Sequence, residues 1–218
     1  EWCADAVGEK AAAPLREYYD FWEKFWREEA PKTAWFRNSK SNVYMTFGFG
    51  GYIYALKEGD MARCRSLMER VVSLAETPEQ KRRAGILMLH FELYEANAAA
   101  SVAELIPVGQ VAESAEQAGA ILKAVPRACE YLKKRDAIIE KLRAAYPYLN
   151  DAKFKWIGDG LDYKKDPFTS GIMTAVVPFL KSPNVAAELE RLAANPDVPA
   201  GLRGQAVVFQ KLGGKIPK

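Results

Sequence analysis

The chain has 218 residues, of which 49% are hydrophobic and 27% charged, so it can bury the core of one large domain or two small ones. Its 31 basic and 28 acidic residues leave a net charge of +3, which is too small to indicate a nucleic-acid partner. No run of about 18 apolar residues occurs, so no membrane-spanning segment is predicted. The chain opens at Glu1 without a methionine or a signal peptide, and we interpret it as a processed chain or a piece of a longer one.

The cysteines do not indicate a disulfide framework or a zinc site. Cys3, Cys64 and Cys129 make an odd count without a CxxC motif, and the chain has a single histidine, His90. We therefore expect buried free thiols, no metal and no cofactor.

The first predicted helix starts near Pro14 and closes at Ala30-Pro31. Its apolar residues keep helical spacing, which indicates a face buried in a core; the alternative is an aromatic platform for sugar rings. These residues are Leu15, Tyr18, Tyr19, Trp22, Phe25 and Trp26. The loop that follows contains Trp35 and Phe36, which we interpret as a satellite core or as ligand contacts.

A second helix is predicted from Ser41 to about Lys57, although the glycine-rich stretch 47–51 also fits a flexible loop. It lacks the ending of a phosphate-binding loop. Gly59 is predicted to end this helix and Asp60 to cap the next.

Residues 61–100 predict two helices that form a hairpin, around which the rest of the chain packs. The first has its apolar face at Met61, Cys64, Leu67, Met68, Val71, Val72 and Ala75. Thr77, Pro78 and Gln80 form a capping box that starts the second helix, whose apolar residues fall on several faces. His90 is expected to be partly buried and hydrogen-bonded, while Glu92 and Glu95 are expected to meet basic residues of a neighbouring helix.

A break at 101–109 precedes a helix from Val111 to Val125, which Pro126 is predicted to interrupt. The helix that follows ends at Tyr146-Pro147. We interpret its basic residues, which include Arg135, as a solvated face.

The stretch 148–169 is not plainly helical. The alternation at 153–157 and the turn residues after it predict a short β-hairpin near residues 153–163. Trp156 and Tyr163 could alternatively contact an anionic or sugar ligand. Calcium binding by Asp159, Asp162 and Asp166 is disfavoured, because their spacing does not match an EF-hand loop.

The tail is predicted to be helical again. Pro183 starts one helix with Val185, Leu189 and Leu192 inward. Pro199 starts the last, with Leu202, Ala206, Phe209 and Leu212 inward and Gly213 at its end.

The sequence thus predicts an all-α fold, either a multi-helix bundle or an array of antiparallel helix hairpins. Residues 1–147 would form the bundle and 148–218 a helical extension packed on it, so that the two make one compact unit.

The first hundred residues resemble a known group of proteins. The residues that carry the resemblance are Val7-Gly8, Ala11-Ala12, Pro14-Leu15, Tyr18-Tyr19 and Trp22-Glu23, and the Leu-rich helix after Arg83 is similar too. The pattern resembles the helical C-terminal part of large bacterial proteins labelled as a domain of unknown function and grouped with glycoside hydrolases, akin to α-glucuronidases.

The resemblance implies a parent protein with a sugar-binding sandwich, a (β/α)₈ barrel and then this helical region. The barrel's catalytic carboxylates would lie outside this chain, so no catalytic residue is expected here. The implied function is a non-catalytic accessory domain that packs on the barrel, with carbohydrate as a possible ligand and a secreted or periplasmic location. Candidate ligand-binding residues are Trp35, Phe36, Trp156 and Tyr163. The alternatives are an independent helical module that binds a protein or peptide, and a small-molecule enzyme.

Overall fold

A computed structural model describes residues 1–32, 36, 56, 58–100, 111–146 and 175–215. Seven α-helices and no strand occur within these ranges, which confirms the predicted all-α fold class. Within the same ranges, no helix is long and apolar enough to cross a bilayer. The predicted helix at 41–57, the break at 101–109 and the β-hairpin near 153–163 lie outside the described residues.

The helices follow one another in chain order, with short 3₁₀ and π-helical turns beside them. They are α1 (Trp2–Val7), α2 (Glu9–Lys24), α3 (Glu58–Leu74), α4 (Pro78–Ala100), α5 (Ala115–Ala145), α6 (Pro183–Ala194) and α7 (Ala200–Lys215). A π-helical turn at Phe25–Glu29 and a 3₁₀ turn at Ala30–Lys32 follow α2, and a second 3₁₀ turn covers Val177–Phe179.

The chain divides into two compact units. The first unit comprises Glu1–Ala98 and Ile138–Ala145, and the second comprises Ala99–Ala137 and Tyr146–Lys218. The predicted division at residue 147 stays a prediction, because residues 147–174 lie outside the described part.

The prediction that the first helix starts at Pro14 was wrong. A short helix, α1, precedes it, and Pro14 lies inside α2, which begins at Glu9. Proline removes one backbone hydrogen bond, but Ala11 and Leu15 on either side are fully buried, and their packing holds the helix together across it. Gly8 makes the corner between the two helices at a φ of 91°, a conformation that favours glycine.

The helical hairpin of α3 and α4 was predicted correctly, and so was the capping box between them. The Gln80 N–H donates to Thr77 Oγ1 at 3.2 Å, and the Thr77 N–H donates to Gln80 Oε1 at 3.1 Å. Gly59 and Asp60 do not separate two helices as predicted, because α3 begins at Glu58 and includes both.

Burial on α3 follows the predicted face at Cys64, Leu67, Met68, Val71 and Ala75, whereas Val72 is exposed. The apolar face of α3 therefore includes one residue, Val72, that no described neighbouring element covers. These side chains join residues of α1, α2 and α4 in the core of the first unit. Its buried members are Val7, Ala11, Leu15, Cys64, Met68, Val71, Ala75, Ala84 and Phe91.

Pro126 does not interrupt the fifth helix, contrary to the prediction, since α5 runs from Ala115 to Ala145 with Pro126 inside it. Val125, Ala128 and Cys129 beside the proline are buried, and we attribute the continuity of the helix to their packing.

The prediction that the basic side of α5 is a solvated face was wrong at Arg135. This side chain is buried and its guanidinium donates to the exposed Asp136 carboxylate at 2.9 Å.

The second unit has a core of small aliphatic side chains from α5, α6 and α7. Val185, Leu189 and Leu192 are buried as predicted, and so are Leu202 and Ala206. Leu212 is exposed rather than inward.

Gly213 does not end α7 as predicted, because the helix runs on to Lys215. A Cβ on Gly213 would lie 2.6 Å from the carbonyl oxygen of Leu180. The glycine therefore permits a close contact of α7 with the turn at Leu180 instead of capping the helix.

Candidate functional site

Aromatic side chains of α2, of the π-helical turn after it and of α4 form a continuous cluster in the first unit. Tyr18 contacts Phe91 across the two helices, with ring centroids 6.0 Å apart and planes at 86°. Trp22 contacts Tyr94 in the same way, at 4.8 Å and 81°. Residues 18 and 22 are four apart and residues 91 and 94 are three apart, so each helix places one pair of rings on a single face.

A cleft of about 260 Å³ opens within this cluster. Leu15, Met68 and Phe91, all buried, lie deepest, while Tyr19, Trp26 and His90 are exposed and form the rim. The described residues that line it are Leu15, Tyr18, Tyr19, Trp22, Trp26, Met68, Leu87, His90, Phe91 and Tyr94.

The titratable groups in the cleft are uncharged near neutral pH. Burial raises the pKa of Tyr18 to about 12, and burial also raises the pKa of Tyr19 above its usual value. Partial desolvation lowers the pKa of His90, so its imidazole is neutral at pH 7. None of the described lining residues is a lysine, arginine, aspartate or glutamate.

The indole N–H of Trp22 is buried and meets no described acceptor in hydrogen-bond geometry. Trp22 is close enough to Tyr18 to oppose the rise in the tyrosine's pKa, but burial outweighs it.

Two arginines of α3 lie over rings of the same cluster. The guanidinium carbon of Arg65 is 5.5 Å from the centroid of Phe91, and that of Arg63 is 5.9 Å from the centroid of Phe21. Arg65 also donates through Nε to Glu95 at 2.7 Å, and this hydrogen bond is the main reason why its pKa is raised. The prediction that Glu95 meets a basic residue of a neighbouring helix is confirmed.

The structure describes only one of the four predicted ligand-binding residues. Phe36 is half-buried and is not among the described residues of the cleft. Trp35, Trp156 and Tyr163 lie outside the described residues. The sequence did show the aromatic spacing on α2, but it gave no signal that these rings would meet His90 and Tyr94 of α4.

The three cysteines are free thiols, with Cys64 and Cys129 buried and Cys3 half-buried. Burial raises the pKa of Cys64 to about 12, so this thiol is protonated and unreactive at neutral pH. Among the described residues, no group of three or more His, Cys, Asp or Glu side chains is placed to hold a metal ion.

Comparison of the chain with protein-family models, with curated proteins and with solved structures gave no match.

Proposed function

We propose that this chain is a non-catalytic helical accessory domain of a larger bacterial protein that acts on carbohydrate and resembles a glycoside hydrolase. Its role is to bind, and the partner is a barrel domain of the same polypeptide. The proposal is supported by the resemblance of residues 1–100 and by the aromatic side chains that the first unit exposes.

The observation that carries the proposal is a set of three exposed rings, Trp2, Tyr19 and Trp26, which we call the exposed aromatic face. Their exposed fractions are 58%, 40% and 40%. Trp2 contacts Tyr19 edge-on, with centroids 5.4 Å apart, and Tyr19 and Trp26 are seven residues apart, two turns along the same side of the helix.

Rings of this size are costly to leave in water. Complete burial of a large apolar side chain contributes about 1.5–3 kcal/mol, so covering three partly exposed rings provides a substantial part of a docking energy. Exposed apolar patches are typical of surfaces that bind another protein or domain, and exposed tryptophan and tyrosine also stack on sugar rings.

A second candidate function is an independent helical interaction module, which a feature of the second unit favours. Val207, Val208 and Leu212 of α7 are all exposed. An apolar helix face of this kind suits a partner helix or peptide.

Hydroxyl-radical footprinting with mass spectrometry tests the proposal by comparing this chain with the parent protein that contains the sequence encoded upstream. We expect Trp2, Tyr19 and Trp26 to be protected in the parent, because the barrel covers them. Tyr131, a half-buried residue of the second unit, serves as the internal reference.

Equal labelling of the three rings in both proteins, or a gene that encodes no barrel upstream, would overturn the proposal. Protection of Val208 and Leu212 by an added protein or peptide would favour the interaction module. Sugar-array binding by the chain and by its Trp26→Ala variant tests the carbohydrate part separately, and equal binding by both would remove Trp26 from any sugar contact.

A further inference from the structure

We propose that the aromatic cleft of the first unit is a binding site for a weakly hydrated organic cation, such as a quaternary ammonium group. This inference goes beyond the proposed accessory function and does not depend on it, since it rests on the interior of the cleft. Tyr19 and Trp26 belong to both surfaces, because they form the rim of the cleft.

The mutual angles of the rings are the first argument. Tyr18 meets Tyr19 at 76° with centroids 5.4 Å apart, and it meets Trp22 at 75°. Trp22 in turn meets Tyr94 at 81°. Rings held at nearly a right angle turn their faces in different directions, and the face of an aromatic ring carries the negative part of its quadrupole.

The charge of the lining is the second argument. The described lining residues include no lysine or arginine, and His90 is neutral at pH 7 because desolvation lowers its pKa. The positive charge of Arg65, which lies over the lining ring Phe91, is offset by its ion pair with Glu95. The described lining residues also include no carboxylate, so the attraction comes from the rings. The rings cannot replace the hydration energy that a strongly hydrated cation such as sodium would lose on binding. A methylated ammonium is weakly hydrated and loses little hydration energy.

The third argument is that rings of this cluster already hold cations, and one of these rings, Phe91, also lines the cleft. The guanidinium of Arg65 lies over Phe91 and that of Arg63 over Phe21, at 5.5 and 5.9 Å from the ring centroids. Both distances fall within the range of roughly 6 Å at which cation–π attraction is significant. Tyr18, Tyr19 and Trp22 also line the cleft, and their rings carry the same kind of quadrupole.

The size of the cleft limits the ligand. A volume of about 260 Å³ is below the roughly 300–1,000 Å³ of pockets for drug-sized molecules. It therefore suits a single compact head group, with the remainder of the ligand in solvent.

Isothermal titration of the whole chain with choline and with 3,3-dimethylbutan-1-ol tests the proposal. The alcohol has the shape of choline with carbon in place of the charged nitrogen. We expect choline to bind with a dissociation constant on the order of millimolar, and the neutral analogue to bind about tenfold more weakly, because it lacks the cation–π attraction.

Three variants locate the binding. Trp26→Leu and Tyr19→Leu remove rim rings whose exposure makes their loss compatible with folding, and each should weaken choline binding severalfold. Val72→Ala is the control, since it shortens an exposed apolar side chain on α3 of the same unit that does not line the cleft, and it should bind choline as the original chain does. Circular dichroism checks that each variant is folded.

Equal affinity for choline and the alcohol would overturn the proposal, because it would show hydrophobic binding only. An equal loss in Val72→Ala would do the same, as would the absence of choline binding up to roughly 100 mM. Methyl glucoside is titrated in parallel. Binding of the glucoside without choline overturns this proposal and leaves the accessory function standing, and binding of choline without the glucoside supports it independently.

Discussion

The cores of the two units are built from different side chains. The first unit packs Phe91 and Met68 against a row of large rings from α2, several of which stay partly exposed. Among the described residues, the buried core of the second unit contains only alanine, valine, leucine, isoleucine and cysteine. Large planar rings cannot fill every gap between two helices, so the aromatic core leaves a cleft. In the second unit a glycine lets α7 approach the backbone of Leu180 closely.

The largest expected effect comes from removing one buried side chain in each core. Phe91→Ala should lower the free energy of unfolding by about 3–5 kcal/mol, and Leu189→Ala by about 2–5 kcal/mol, because each leaves a cavity. Both side chains are fully buried. Phe91→Ala also removes the ring under Arg65 and beside Tyr18, so we expect it to lie at the upper end of its range.

Urea unfolding followed by circular dichroism measures both values. Leu212→Ala is the control, since Leu212 is exposed, and it should change stability by no more than about 0.5 kcal/mol. If Phe91→Ala costs less than Leu189→Ala, the rings relax into the space of the lost one and the aromatic core is more adaptable than we infer.

A smaller effect tests how closely α7 approaches the backbone of Leu180 in the second unit. Gly213→Ala should lower the free energy of unfolding by about 1–3 kcal/mol, because the new Cβ would lie 2.6 Å from the Leu180 carbonyl oxygen. Gly204→Ala is the matched control in the same helix. It has no neighbour within 4 Å and should raise stability by about 0.5–1 kcal/mol through helix propensity.

Opposite signs for the two glycine variants are the expected outcome of thermal unfolding. A stabilising Gly213→Ala would mean that α7 does not approach Leu180 so closely.

The smallest effect is on local chemistry and leaves the fold unchanged. Iodoacetamide at pH 8 should modify Cys3, which is half-buried, before Cys64 and Cys129, which are buried. With its pKa raised to about 12, Cys64 has almost no thiolate at that pH. Mass spectrometry of the native and the urea-unfolded chain measures the order, and rapid native labelling of Cys64 would show that the core of the first unit opens readily.

Local signals in the sequence were sufficient for some elements and misleading for others. The capping box at Thr77 and Gln80 needs only neighbouring atoms, and it formed as predicted. Pro14, Pro126, Gly59 and Gly213 were all interpreted as helix boundaries, and all four lie inside helices. Proline and glycine lower the intrinsic stability of a helix by a few kcal/mol at most, so burial of the flanking residues can override them.

The sequence by itself determined the all-α fold class and the buried faces of α3 and α6, because apolar spacing of three and four depends only on helix geometry. Tertiary structure decided which helices run through a proline, why Gly213 is a glycine, and that Tyr18 and Trp22 meet Phe91 and Tyr94 around a cleft. These features depend on contacts between residues far apart in the chain, and the spacing within one helix carries no information about the ring that another helix will bring to it.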